Sequence, residues 1–172
     1  MKILVLSDIH RNITLAEKIL KIEQYDLALS LGDTELSDDW VESNFDYAVR
    51  GNNDFMSLLP IEKFFKVNNL KIYMCHGHLL GSYNTLMDSS EIQKQCENIN
   101  ADVILYGHSH FKLLTVVKNN QNEPIKYIIN PGSAGLPFIS RNQLLNSDPS
   151  YCIIETNNEL NGKILVKFKT IQ

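Results

Sequence analysis

The 172-residue sequence lacks long apolar runs, paired cysteines and an excess of basic charge. No run approaches the roughly 18 apolar residues that a membrane span needs, and the short apolar stretch at 3–6 does not resemble a signal peptide. The cysteines are odd in number and far apart (Cys75, Cys96 and Cys152), which favours reduced thiols in a cytoplasmic protein. Lysine and arginine number 16 against 20 aspartates and glutamates, and the net charge of −4 disfavours a stable complex with nucleic acid. We therefore expect one domain over 1–172, without a membrane span.

Hydrophobic periodicity predicts an α/β protein with a β-α-β front half and a rear half resembling an antiparallel meander. Helices are expected at Ile13–Gln24 and Ser90–Asn98, the second opening with a capping box of Ser90 and Gln93. Asn68-Asn69 is expected to form the turn of a hairpin. The predicted strands are Lys2–Ser7, Leu27–Leu31, Tyr47–Arg50, Phe64–Val67, Lys71–Cys75, Asp102–Tyr106, Leu113–Val117, Ile125–Asn130, Tyr151–Glu155 and Lys163–Phe168. Two sheets packed face to face, with helices outside, accommodate this order.

Polar side chains that can bind metal follow five of the apolar strands. In α/β sheets, ligands bind beyond the carboxyl ends of the strands, so these side chains are expected to meet there. The strands deliver, in order, Asp8 and His10; Asp33; Asn52; His76; and His108 and His110. Glycines beside them are expected to let the chain turn sharply, namely Gly32, Gly51, Gly77 and Gly107.

Seven such donors exceed what one divalent ion takes, and two carboxylates among them suit two ions that share a bridging ligand. The donors are imidazole, carboxylate and amide, with no thiolate, which favours Mn, Fe, Ni, Co or Zn over Mg or Ca alone. Each motif by itself is weak, but all five in order at strand ends predict a dinuclear metal site.

These motifs resemble those of the calcineurin-like metallophosphoesterase superfamily. The residues that carry the resemblance are Asp8-Ile9-His10, Gly32-Asp33, Gly51-Asn52-Asn53-Asp54, His76-Gly77 and Gly107-His108-Ser109-His110. The length, the His76-Gly77-His78 variant and Asn130-Pro131-Gly132-Ser133 with Arg141 are similar to its YfcE-like phosphodiesterase branch. The resemblance implies a four-layer α/β/β/α sandwich, with two mixed β-sheets flanked by helices.

The resemblance also implies a ligand set and a reaction. One metal would take Asp8, His10 and His110, the other would take Asn52, His76 and His108, and Asp33 would bridge them. The family hydrolyses phosphate esters by attack of a metal-bridging hydroxide. We expect two divalent ions per chain, with Mn favoured and Ni, Zn, Fe or Co as alternatives.

Two departures from the family pattern bear on the chemistry. Better-known phosphatases carry a histidine directly after the motif asparagine as general acid, and this position is Asn53, which cannot donate a proton at a useful pKa. Many relatives have glycine where this chain has Arg11, which could reach the phosphate or lie solvated on its loop. The candidate catalytic residues are therefore Asn52, His78, Asp54 and Arg11. His78 could donate a proton or bond a backbone carbonyl, and Asp54 could instead orient its own loop.

The function that these features predict is hydrolysis of a small or nucleotide-like phosphodiester by a metal-dependent phosphodiesterase. A phosphomonoesterase at the same site is one alternative. A non-catalytic protein-binding scaffold of the same fold is another, and the complete ligand set counts against it. The loops Thr34–Asn44 and Ile139–Ser150 are expected to shape the pocket, and exposed helix faces could support a homodimer.

Overall fold

The computed structural model describes residues 1–137, 148–157 and 163–171. Ten strands and four helices are assigned within these ranges. In chain order they are β1 (Lys2–Leu6), α1 (Ile13–Ile22), β2 (Leu27–Ser30), α2 (Asp38–Asn44), β3 (Tyr47–Ala48), β4 (Glu62–Val67), β5 (Leu70–Cys75), α3 (Tyr83–Met87), α4 (Ser89–Gln95), β6 (Val103–Leu105), β7 (Leu113–Lys118), β8 (Pro124–Asn130), β9 (Ser150–Glu155) and β10 (Leu165–Thr170).

The strands form two mixed sheets of five. The first has the order β10-β9-β1-β2-β3 and the second the order β4-β5-β6-β8-β7. Parallel pairing joins β1 to β2 and β2 to β3 in the first sheet, and β5 to β6 and β6 to β8 in the second. The predicted antiparallel pairing in the rear half is confirmed for β7 with β8 and for β9 with β10. A continuous meander is wrong, because β8 lies parallel to β6 and β9 returns to pair with β1 in the first sheet.

Alternate residues along the strands pack into different layers. In β1, Ile3 and Val5 face the second sheet, where they join a buried cluster that includes Ile72. Leu4 and Leu6 of the same strand pack on the opposite face with residues of α1 and α2. The outer face of the second sheet is covered by α3 and α4 through a third buried cluster. The four-layer α/β/β/α sandwich that the resemblance implies is confirmed.

The helices differ from the sequence prediction in two ways. Two short helices, α2 and α3, occupy segments without a predicted helix, and each opens on a serine whose side chain accepts a backbone N–H (Ser37 and Ser82). The predicted capping box at Ser90 is wrong, because Asp88 is the N-cap of α4. Its carboxylate accepts from two successive backbone N–H groups, at 2.9 and 3.0 Å, and helix N-termini favour negative charge.

The predicted hairpin is confirmed. Val67 pairs with Leu70, leaving a two-residue turn in which Asn68 adopts a φ of 52°. This hairpin starts the second sheet, and the parallel strands of both sheets end at one common edge of the sandwich. Among the residues that the structure describes, no helix has the length and apolar character needed to cross a bilayer.

Candidate metal centre

Two groups of three metal-capable side chains lie next to each other at this edge. Asp8, His10 and His110 form the first cluster, and within it one donor atom from each lies within 4.8 Å of the others. Asp33, His76 and His108 meet the same criterion and form the second cluster. His76 Nε2 is 3.9 Å from Asp8 Oδ1, so the two clusters share a boundary. The structure therefore brings together six of the seven predicted donors.

The loops that carry these side chains are clasped to one another through the backbone. The N–H of Asp8 donates to the carbonyl of Gly32, and the N–H of His10 donates to the carbonyl of Asp33, both at 3.0 Å. Five of the six cluster residues adopt a positive φ between 47° and 67°, namely Asp8, His10, Asp33, His108 and His110. Such a backbone costs about 1–3 kcal/mol per residue and persists only where the surroundings hold it, most often at functional sites.

The glycines of the motifs act in two different ways, which the sequence analysis did not separate. Gly32 and Gly77 have φ values of +94° and +108°, as expected for sharp turns. Gly51 and Gly107 are needed for close approach instead. A Cβ atom would lie 2.0 Å from Asp33 Oδ1 at Gly51, and 1.9 Å from Ser7 Oγ at Gly107.

Buried polar atoms without partners test whether metal ions fit this donor set. Asp8 is fully buried, and its Oδ2 accepts hydrogen bonds from Ser7 Oγ at 2.5 Å and from the N–H of His108 at 3.1 Å. Asp8 Oδ1 and His76 Nε2 have no hydrogen-bond partner among the described residues. Because unsatisfied buried polar groups are rare and costly, a cation that accepts both lone pairs is the simplest occupant of this space.

Hydrogen bonds away from the clusters orient the imidazole rings. His76 Nδ1 lies 2.8 Å from the carbonyl oxygen of Leu31, to which it donates, so Nε2 faces Asp33 Oδ2 at 3.3 Å. His10 Nδ1 lies 2.7 Å from Glu35 Oε1, so Nε2 faces His110. This pattern, in which one ring nitrogen is held by an oxygen and the other is left for the site, is typical of metal-binding histidines.

The ionisation of the clusters reflects their buried charges. Burial raises the pKa of Asp33, but His76 and the hydrogen bonds from Asn53 outweigh it and hold the pKa well below its usual range. Burial lowers the pKa of His76, and the carboxylates of Asp33 and Asp8 reverse this, so that its pKa lies above the ordinary value. Burial and the neighbouring His76 lower the pKa of His108 to about 4. In the second cluster, Asp33 is thus a carboxylate and His108 a neutral imidazole, the forms in which these two side chains bind divalent metals.

The loop after β3 is arranged differently from the prediction. Asn52, predicted as metal ligand and catalytic residue, is exposed. Asn53 contacts the second cluster instead, and its backbone N–H and side-chain amide donate to the two oxygens of Asp33 at 2.7 and 2.6 Å. Asp54 causes this arrangement, because its buried carboxylate accepts from the N–H groups of Gly51 and Glu35. Asp54 therefore orients its own loop, which is the second of the two roles considered for this residue, and it does not face the clusters.

Arg11 and His78 lie beside the clusters, in environments that the sequence did not define. The Arg11 guanidinium is exposed, with Nε 2.8 Å from Glu35 Oε2, so Glu35 links Arg11 to His10. The His78 ring lies 5.5 Å from that of His76, and its buried Nδ1 has no hydrogen-bond partner among the described residues. Within the described part of the chain, Nδ1 of His78 therefore does not bond a backbone carbonyl, which was one of the two alternatives for this side chain.

Sequence reasoning missed two residues of the site. Glu35 follows Gly32-Asp33 by two positions, and a carboxylate so close to a ligand motif was the available signal. Tyr83 opens α3, and its ring stacks on that of His108 with centroids 4.7 Å apart and an interplanar angle of 24°. Nothing in the sequence indicates this contact. Ser133, the last residue of the Asn130-Pro131-Gly132-Ser133 segment, donates to the carbonyl of Asp8 at 2.7 Å. Arg141 lies outside the described residues.

Fold and donor set together are typical of hydrolases that act on phosphate esters with two divalent ions. The family described as the calcineurin-like phosphoesterase superfamily domain matches residues 1–159, and the chain belongs to this superfamily. It is 32% identical over 161 residues to the probable metallophosphoesterase YsnB of Bacillus subtilis, covering 92% of this chain and 86% of that protein. A probable metallophosphoesterase of Mycoplasma genitalium is 26% identical over 162 residues, covering 92% of this chain and 90% of that protein.

Solved structures show the same fold at lower identity. A conserved protein of Streptococcus pneumoniae, described as a predicted phosphoesterase, matches with a TM-score of 0.73 and 23% identity over 98% of this chain and 88% of that one. Vps29 of Chaetomium thermophilum matches with a TM-score of 0.67 and 21% identity over 98% and 97% of the two chains. The fold is therefore shared by described phosphoesterases and by Vps29 proteins.

Proposed function

We propose that the protein is a metal-dependent phosphodiesterase that hydrolyses a small or nucleotide-like phosphodiester at a dinuclear centre. The observation that carries the proposal is the adjacency of two three-donor clusters with buried, unpartnered donor atoms facing the space between them. Asp8, His10 and His110 would hold one ion, and His76 and His108 the other, with Asp33 between them. Two divalent ions held there would act as Lewis acids toward the phosphoryl group and activate the attacking water.

The chain's own residues would prepare the reaction. The hydrogen bonds from Asn53 keep Asp33 ionised and fix its two oxygens, and Ser7 with the N–H of His108 does the same for one oxygen of Asp8. Arg11 offers a cation at the rim of the site. Asn53 stands where better-known phosphatases have the histidine that protonates the leaving group. The absence of this proton donor favours diesters with good leaving groups. A structural neighbour described as a novel archaeal phosphodiesterase, with a TM-score of 0.63 and 20% identity, supports the choice of a diester.

The test compares bis-p-nitrophenyl phosphate with p-nitrophenyl phosphate after chelation, with Mn²⁺, Ni²⁺, Zn²⁺ or Mg²⁺ restored, for the wild type and Asp33→Asn. Diester hydrolysis that requires metal and is lost in Asp33→Asn is the expected result. A preference for the monoester would identify a phosphomonoesterase instead. We also propose a cytoplasmic location, which the three free, buried cysteines support.

A scaffold without catalytic activity is the second candidate, because Vps29 proteins share the fold. One neighbour is described as wild-type Vps29 of Entamoeba histolytica complexed with Zn²⁺, so metal binding alone would not distinguish the two functions. Turnover decides between them. Absence of hydrolysis with every metal, in a protein that binds no metal ions after they are restored, would favour the scaffold.

A further inference from the structure

A cavity of about 490 Å³ lies beside the two clusters, between the start of α2 and the loop that follows β3. Two of its lining residues contact cluster residues directly. Glu35 is bonded to His10, and Asn53 is bonded to Asp33. The volume falls within the range of pockets that hold small organic ligands. A molecule whose phosphorus lies at the clusters can therefore extend into this cavity.

Apolar side chains line one part of the cavity and are left largely exposed. Phe55, Met56 and Leu58 are 81%, 93% and 94% exposed, and all three line the same space together with Leu36. Single exposed apolar residues are common, but several large ones around one cavity mark a binding surface. A flat or apolar group is the complementary occupant.

Hydrogen bonds hold the loop that carries these side chains. The N–H of Ser57 donates to the carbonyl of Asp54 at 3.1 Å, and the N–H of Leu58 donates to the carboxylate of Asp38 at 2.7 Å. Asp54 itself accepts from Gly51 and Glu35, as described above. The apolar surface is thus pre-formed, and binding to it does not require ordering of the loop.

The polar residues around the cavity narrow the chemistry of the occupant. Arg11 offers a cation on the side of Glu35, which suits a phosphate group. At the start of α2, the exposed Asp39 carboxylate can accept from the N–H and O–H groups of a base and a sugar. The Ser37 hydroxyl, whose oxygen accepts from the N–H of Trp40, can still donate to an acceptor of the ligand. An acyl chain would fill the apolar part but make no hydrogen bond to either group.

We propose that this cavity binds the nucleoside part of a nucleotide-like phosphoester, with the base stacked on Phe55 and Arg11 facing the phosphate. This inference rests on the proposed function and assigns its specificity to residues 35–39 and 53–58. The first of these segments lies within the loop Thr34–Asn44, which was predicted to shape the pocket, and the second lies outside the loops so predicted.

The test measures binding by calorimetry to the full chain with Mn²⁺ restored, using adenosine 5′-monophosphate and ribose 5-phosphate, which carries a hydroxyl group in place of the base. We expect the wild type to bind the nucleotide about tenfold more tightly, the advantage that stacking of one base on an aromatic ring supplies. Phe55→Ala should reduce this advantage to about twofold or less, and Phe55→Tyr should retain it. The matched control is Ile125→Ala, which removes an exposed apolar side chain at the start of β8 and should keep the full advantage.

Equal affinity for the two ligands in the wild type, no measurable nucleotide binding, or an advantage that survives Phe55→Ala would each overturn the proposal. Hydrolysis of bis-p-nitrophenyl phosphate by the same preparations distinguishes failure of the nucleoside-site proposal from failure of the proposed phosphodiesterase function. If hydrolysis persists while the base advantage is absent, only the nucleoside site is wrong. If the advantage is present and depends on Phe55 while no diester is hydrolysed, the nucleoside site stands and the phosphodiesterase is wrong.

Discussion

Replacing Glu35 with alanine should weaken metal binding at one cluster of the site and leave the other nearly unchanged. Glu35 Oε1 lies 2.7 Å from His10 Nδ1 and Oε2 lies 2.8 Å from Arg11 Nε. The first contact fixes the His10 ring so that Nε2 faces His110. Mutation of a residue that orients a metal-binding histidine in this way typically lowers the metal affinity 10- to 100-fold, which corresponds to about 1.4–2.8 kcal/mol.

The effect on folding should be smaller than the effect on the metal. The Arg11 side chain is 76% exposed, so its ion pair with Glu35 contributes at most about 1 kcal/mol to the free energy of unfolding. The backbone N–H of Glu35, which donates to Asp54, remains in the variant. Glu35→Ala should therefore separate loss of metal affinity from loss of stability. Glu35→Gln keeps an oxygen that can accept from His10, so its metal affinity should fall less than that of Glu35→Ala.

The assay is calorimetric titration of chelator-stripped protein with Mn²⁺, alongside chemical denaturation of the same preparations. Glu91→Ala is the matched control, since it removes an exposed carboxylate on α4 whose ion pair, among the described residues, is with Lys94. The expected result is one weakened site in Glu35→Ala and two unchanged sites in the control. Wild-type affinity at both sites, within about twofold, would refute the role assigned to Glu35, as would equal weakening of both.

Three further predictions concern residues around the site and in the core. Tyr83→Ala should weaken metal binding severalfold by releasing the His108 ring, whereas Tyr83→Phe keeps the stacked ring and should bind as the wild type does; equal behaviour of the two variants would contradict this. Gly107→Ala should lower the free energy of unfolding by about 1–3 kcal/mol because its Cβ would overlap Ser7 Oγ, and an unchanged denaturation midpoint would show that the loop adapts. Burial raises the pKa of Cys75 to about 12 and of Cys96 to about 11, so both thiols stay protonated at pH 8. A disulfide reagent should therefore label them only after denaturation, and rapid labelling of the folded protein would contradict their burial.

The order of elements and most of the donor set could be predicted from the sequence because both depend on local pattern. Apolar runs of four to six residues identify strands, and a histidine or aspartate directly after such a run must lie at the end of that strand. Parallel pairing then brings these ends together, as it does for Asp8, Asp33, His76 and His108. The family motifs add the four-layer arrangement, which periodicity alone left as two packed sheets.

The remaining features depend on contacts between segments that are far apart in the chain. Whether Asn52 or Asn53 faces the clusters is decided by the hydrogen bonds that Asp54 accepts, one of them from Glu35 on another loop. Tyr83 reaches His108 only because α3 packs on the outer face of the second sheet. The sequence by itself thus determined which loops carry metal-capable side chains. Only the tertiary structure decided which side of each loop faces the site, because that choice is made by long-range hydrogen bonds and packing that spacing does not encode.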